Sequence, residues 1–185
     1  MSVSSGSNGE LPANSLDLPE KLEPDNPLWR FALEFWQYPE AQENCLALQQ
    51  QGWSVTRILC AGWLSLNGRR YSGIEDATLT EWRDRVTGGL RAIRKWLPKS
   101  NTACQKLRDG TGGLELEAER IELALAWQTL ITQNPEYSDM HGREKLIRNN
   151  LEAAAPSPSS IRSAKPQLNA LASTLANFPK GEPRP

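Results

Sequence analysis

Between Leu79 and Leu97 the apolar residues Leu79, Trp82, Val86, Leu90, Ile93 and Leu97 recur by threes and fours. That spacing lines them up as one narrow stripe along a helix, and no strand can present it, because strand side chains alternate between faces. Pro98 closes the stretch. Gly88-Gly89 interrupts it at a cost of roughly 1 kcal/mol per glycine relative to alanine, which calls for a kink, a close helix crossing or simple tolerance.

The rest of the ordered sequence follows the same period. Asp25-Asn26-Pro27 offers a capping side chain and a proline at a first helical position, and Leu28, Phe31, Ala32 and Phe35 then fall on one wall. Tyr38-Pro39 breaks that helix, since proline disfavours helical backbone in the residue before it. A second helix is expected from Pro39 to Gln51, burying Ala41, Cys45, Leu46 and Leu48 and ending at Gly52. Ser54 caps a third, with Val55, Ile58, Leu59, Gly62, Trp63 and Leu66 inward, stopped by Asn67-Gly68. The glycines between Pro98 and Gly113 read as a loop. Leu114 to Gln133 forms a helix with two apolar faces, and Gly142 to Ala153 a last one. No period-2 segment of useful length occurs, so the expected class is all-α, a compact bundle of about six helices.

Composition sets the expected limits of that bundle. Residues 1–26 and 154–185 hold 9 of the 13 prolines and none of the seven Trp, too little apolar material to offset chain entropy, so both are expected to be disordered tails. Residues 27–153 form the domain, 1–26 an acidic arm, and 154–185 a Pro/Ser-rich tail. Within that tail Leu168, Leu171, Leu175 and Phe178 share one helical face, which allows a short helix over 166–178 that needs a surface to dock on, its own domain or a partner. A net charge of −1 excludes a polycation built for nucleic acid, no apolar run is long enough to span a membrane, and the first residues lack the pattern of a signal peptide. Cys45, Cys60 and Cys104 are too scattered for a disulfide framework, so the expected compartment is the cytoplasm.

Leu28-Trp29-x-Phe31-Ala32, Cys45-Leu46-x-Leu48-Gln49, Gly52-x-x-Val55, Trp63-Leu64, Leu90-Arg91-x-x-Arg94 and Glu115-Leu116-x-Ala118-Glu119-Arg120 together carry a resemblance. Over roughly residues 28–152 the chain resembles an uncharacterised family of small, mainly proteobacterial, all-helical proteins. Arg57 and Gly62 depart from it, standing where the family tends to be more apolar. The resemblance implies a helical fold and a bacterial cytoplasmic home, and it implies no activity.

The charges supply the candidate sites. Arg91 and Arg94 lie on one flank of the 79–97 stripe, and Glu115, Glu119 and Glu122 form a stripe between the apolar faces of the next helix. Antiparallel pairing of the two helices would bring arginines to glutamates as a polar network or around a small pocket; the alternative is two solvated faces. From Glu81 to Arg108 there are eight basic and two acidic residues, with Trp82 and Trp96 interleaved, a pattern suited to phosphates and base stacking but without a known reading motif. His141 is the single histidine, and no cysteine or second histidine stands at ligand spacing, so neither metal nor cofactor is expected. Cys45 and Cys60 fall on apolar faces, where a thiol is a small inert group, and Asp109-Gly110-Thr111-Gly112-Gly113 lacks the residues of a phosphate loop. By elimination the expected role is a non-enzymatic protein-interaction or adaptor module with a protein partner. The alternatives are nucleic-acid association through residues 81–108 and small-molecule binding between the basic and acidic helices.

Overall fold

A computed structural model describes residues 15–139 and 141–179. Among these residues the protein is all-α, with an isolated antiparallel bridge between Arg69 and Tyr137 as the single extended pairing. The helices are α1 Pro27–Phe35, α2 Pro39–Gln50, α3 Val55–Leu66, α4 Ala77–Trp82, α5 Gly88–Trp96, α6 Thr102–Gln133, α7 Arg143–Ala153, α8 Ser160–Ser163 and α9 Lys165–Ala176, and a π-helical turn, Arg83–Thr87, joins α4 to α5. That exceeds the six expected, because the fourth is broken by the π turn and two more follow residue 154.

Local chemistry sets the starts of these helices. The Asn26 side-chain oxygen accepts from Trp29 N at 2.8 Å with Pro27 behind it, Ser54 Oγ accepts from Arg57 N, and Asp76 accepts from Thr78 N. The core is built around α3, whose Ile58, Leu59, Cys60, Ala61 and Leu64 are buried against α1, α2, α6 and α7. Gly62 permits this crowding: a methyl group there would lie 3.1 Å from Phe31 and 3.2 Å from Leu175. Asn150, itself buried, ties α7 to the chain after α3, accepting from Tyr71 N and donating to Ser65 Oγ and Arg69 O.

Two expectations are corrected. The glycine-rich stretch before Leu114 is helical from Thr102 onward: Asn101 caps it at Ala103 N, and Arg108 reaches across to the carbonyls of Arg94 and Leu97 at the end of α5. Packing on α5 thus outweighs the low helix propensity of Gly110, Gly112 and Gly113. The segment after residue 154 is folded as far as Pro179: α9 lies on α2 and α7, with Leu168, Leu171, Leu175 and Phe178 buried. Phe178 meets the rings of Phe31 and Tyr38, and Arg143 donates to the carbonyls of Leu175 and Phe178 at the end of α9. Leu18 and Leu22 also pack against the core, while the expected disorder of residues 1–14 and 180–185 lies outside the described residues.

Candidate functional site

The π turn determines which side chains the helix over 77–96 turns inward. Its Gly88 N–H bonds the Arg83 carbonyl, five residues back, which accommodates one extra residue in the turn and rotates everything after it by about 100°. Leu79 is buried and Trp82 donates its indole N–H to the Ala118 carbonyl at 3.0 Å, but beyond the turn the inward positions become Thr87, Arg91 and Arg94. Of the apolar stripe read from the sequence, Leu79 and Leu97 at its ends stay buried, Trp82, Val86 and Leu90 are half-buried and Ile93 is exposed, and α5 buries none of its own residues. Gly88 is required here, since a Cβ would lie 2.9 Å from the Arg83 carbonyl oxygen.

Two ion-pair networks follow along the α6 face. In the first, Arg91 donates from Nε to Glu115 at 2.8 Å and from Nη2 to Glu119 at 2.8 Å, while Arg94 Nε meets the second Glu115 oxygen at 2.5 Å. The structure thus brings together Arg91, Arg94, Glu115 and Glu119 of the residues singled out in the sequence. Glu122 belongs to a second network. There Arg83 Nε donates to Glu122 at 2.8 Å, its two terminal nitrogens grip both oxygens of Glu75, and Arg57 Nη1 reaches Glu75 at 2.6 Å. Arg57 also donates to the carbonyls of Ala153 and Ala154, closing α3 onto the end of α7. Arg57 and Glu75 escaped the sequence reading because Glu75 sits in a loop without periodicity. The available signal was Arg57 itself, a cation on an otherwise apolar helix, which must be met by a carboxylate.

Electrostatics follow burial and pairing. Burial alone would raise the Glu75 carboxyl, yet the guanidiniums of Arg83 and Arg57 hold it below its ordinary value. Glu115 is lowered in the same way, against its burial, by Arg94 and Arg91. At Glu119 burial prevails over Arg91 and the carboxyl is raised. Burial pushes the Cys45 thiol up to about 12 and the Cys60 thiol further, so neither is a thiolate near neutrality. Cys104 is half-buried and His141 exposed. Among the described residues no group of three His, Cys, Asp or Glu side chains is placed to hold a metal ion, and no helix is long and apolar enough to cross a membrane.

An open cleft of about 1200 Å³ runs beside these networks. Its lining includes Trp29 and Leu33 of α1, Trp36 just after it, Trp53 before α3, Gly112, Leu116, Glu119 and Arg120 of α6, and Arg91 and Arg94 of α5. Residues 27–125, more than half of the chain, match the family profile described as "Protein of unknown function (DUF2390)". The chain belongs to this family. The matched DUF2390 segment runs from α1 into α6, so it contains both ion-pair networks and the cleft-lining residues named above, while α7 and α9 lie beyond it. No curated protein and no solved structure gives a significant match.

On the far side of the α5–α6 pair lies a second surface. Arg91 and Arg94 against Glu115, and Arg108 against Leu97 O, fix an antiparallel register that sets Ile93 level with Leu114 and Trp96 level with Leu107. All four are open to solvent: Ile93 is 50% exposed, Trp96 85%, Leu107 57% and Leu114 60%. Lys95 and Lys106 stand exposed at this end of the pair and Lys99 at the cleft, all three with no carboxylate partner among the described residues.

Proposed function

We propose that the protein is a non-enzymatic interaction module whose working surface is the outer face of the α5–α6 pair. The observation that carries this is exposure at matching levels of two paired helices: Ile93 and Trp96 of α5 and Leu107 and Leu114 of α6 are all open to solvent. Large apolar side chains left exposed on neighbouring helices mark a candidate interaction site, and an exposed Trp is a strong anchor for one. The exposed Lys95 and Lys106 on the same two helices suit a partner segment that pairs apolar anchors with acidic side chains.

Nucleic-acid association through the same end has one observation in favour, the exposed Trp96 beside unpaired lysines. It is weakened because Arg83, Arg91 and Arg94 are each committed to a glutamate, so they are not free for phosphates. Affinity purification from native cells with the unaltered chain and with Trp96→Asp as baits, each with and without nuclease, tests the proposal. The expected result is a protein retained by the unaltered chain, insensitive to nuclease, and lost with Trp96→Asp. Identical retention by both baits would refute it, and retention abolished by nuclease would transfer the surface to nucleic acid.

A further inference from the structure

In the cleft on the opposite flank of α6 from that face, Lys99, Asp109 and Glu117 have no ion pair among the described residues, but the arginines are almost all accounted for. Arg83, Arg91 and Arg94 are neutralised by Glu75, Glu115, Glu119 and Glu122, and Arg108 is spent on backbone carbonyls. Arg120 is different. It has no carboxylate within ion-pair distance among the described residues, and its guanidinium lies over the Trp29 ring at 5.4 Å from the centroid. Its Nε is buried without a hydrogen-bond partner, and so is Nε1 of Trp53, a residue only 3% exposed. Both orphaned groups in the cleft wall are donors, and an orphaned buried donor is costly until an acceptor reaches it. The first residues of α3, Val55 and Thr56, line the same cleft, and a helix N-terminus favours negative charge. The cleft also has an apolar lining that includes two planar indole rings: Trp29, Leu33, Trp36 and Leu116.

We infer that the cleft is a binding site for an organic anion with a flat apolar body, its carboxylate or phosphate held by Arg120 and its body laid against Trp29 and Trp36. The stacked ring keeps the guanidinium in place before the ligand arrives, so little side-chain freedom is lost on binding. Specificity follows from the sign of the orphaned groups. A neutral ligand of the same shape fills the apolar wall but leaves the cation unmet, and a cationic one meets like charge. This site is separate from the α5–α6 outer face and does not depend on the role proposed for it.

Calorimetric titration of the full chain with 2-naphthoate, 2-naphthyl phosphate and the neutral 2-naphthalenemethanol tests the inference. The expected result is that at least one anion binds tenfold or more tightly than the alcohol. Whichever of the two is tighter identifies the head group. Arg120→Met should bring the anions to within about twofold of the alcohol, Arg120→Lys should keep most of the preference, and Trp96→Asp should change nothing. Equal affinity for all three probes, no binding by any of them, or undiminished anion binding by Arg120→Met would overturn the site. The probe comparison on the unaltered chain decides the matter even where an Arg120 variant fails to fold.

Discussion

Glu75 joins three parts of the molecule through one carboxylate, since Arg57 comes from α3, Arg83 from the π turn, and Arg83 continues to Glu122 on α6. Removing that charge leaves two largely buried guanidiniums facing each other, so Glu75→Gln is expected to cost about 3 kcal/mol in urea unfolding at neutral pH. The pH dependence carries a definite sign. Glu75 and Glu115 are lowered in the folded state, so their stabilisation is complete above the unfolded carboxylate value near ~4.3 and drains as pH falls through the folded value. Glu119 is raised, so its contribution is present below that unfolded value and is lost as pH rises through the folded one. With two lowered groups against one raised, unfolding free energy should fall between about pH 5 and pH 3, and Glu75→Gln should flatten the fall. A fall of undiminished steepness in Glu75→Gln would contradict this assignment. The arginines and glutamates on α5 and α6 were legible from helical spacing, because that spacing states which side chains share a face. Glu75, Arg120 and Trp53 were not, because their partners or orphaned atoms depend on where loops and neighbouring helices come to rest.

At the scale of elements, the Leu79–Leu97 stripe was legible as a helix and misleading as a buried face. Periodicity assumes an unbroken 3.6-residue turn, and one extra residue in the π turn transfers the inward face from Leu90 and Ile93 to Arg91 and Arg94. The two glycines that follow the turn separate cleanly. Gly88→Ala places a Cβ against the Arg83 carbonyl and should destabilise by about 1–2 kcal/mol. Gly89→Ala meets nothing within 4 Å and should stabilise by about 0.5–1 kcal/mol through helix propensity. Paired denaturation curves check both, and equal effects at the two positions would argue against the π geometry. The N-terminal third of α6 shows the converse case. Its glycines signalled a loop, yet Gly110 and Gly113 sit in open helix, held there by the arginine contacts between α5 and α6.

On the scale of the whole molecule, composition hid folded material at both ends: Leu18 and Leu22 pack against the core before residue 27, and α9 follows residue 154. Averaged over residues 154–185, the apolar residues are diluted by proline and serine, but Leu168, Leu171, Leu175 and Phe178 act as a single face that closes the bundle across α2 and α7. Leu171 is fully buried, so Leu171→Ala should lose about 3 kcal/mol, and thermal melts of the full chain would show it. The same comparison should leave Ile93→Ala within about 0.5 kcal/mol, because its side chain is half exposed. The outcome is a closed side, sealed by α9, and an open side, where the α5–α6 pair leaves Ile93, Trp96, Leu107 and Leu114 exposed to solvent. That the open side receives a partner protein is the central claim. It is tested most directly by replacing Trp96 with a photo-crosslinking benzophenone amino acid in the native cell and irradiating. The account predicts a discrete crosslink to another protein, lost when Ile93 and Leu107 are both changed to Asp. No crosslink from position 96, or one that survives that double change, would contradict it.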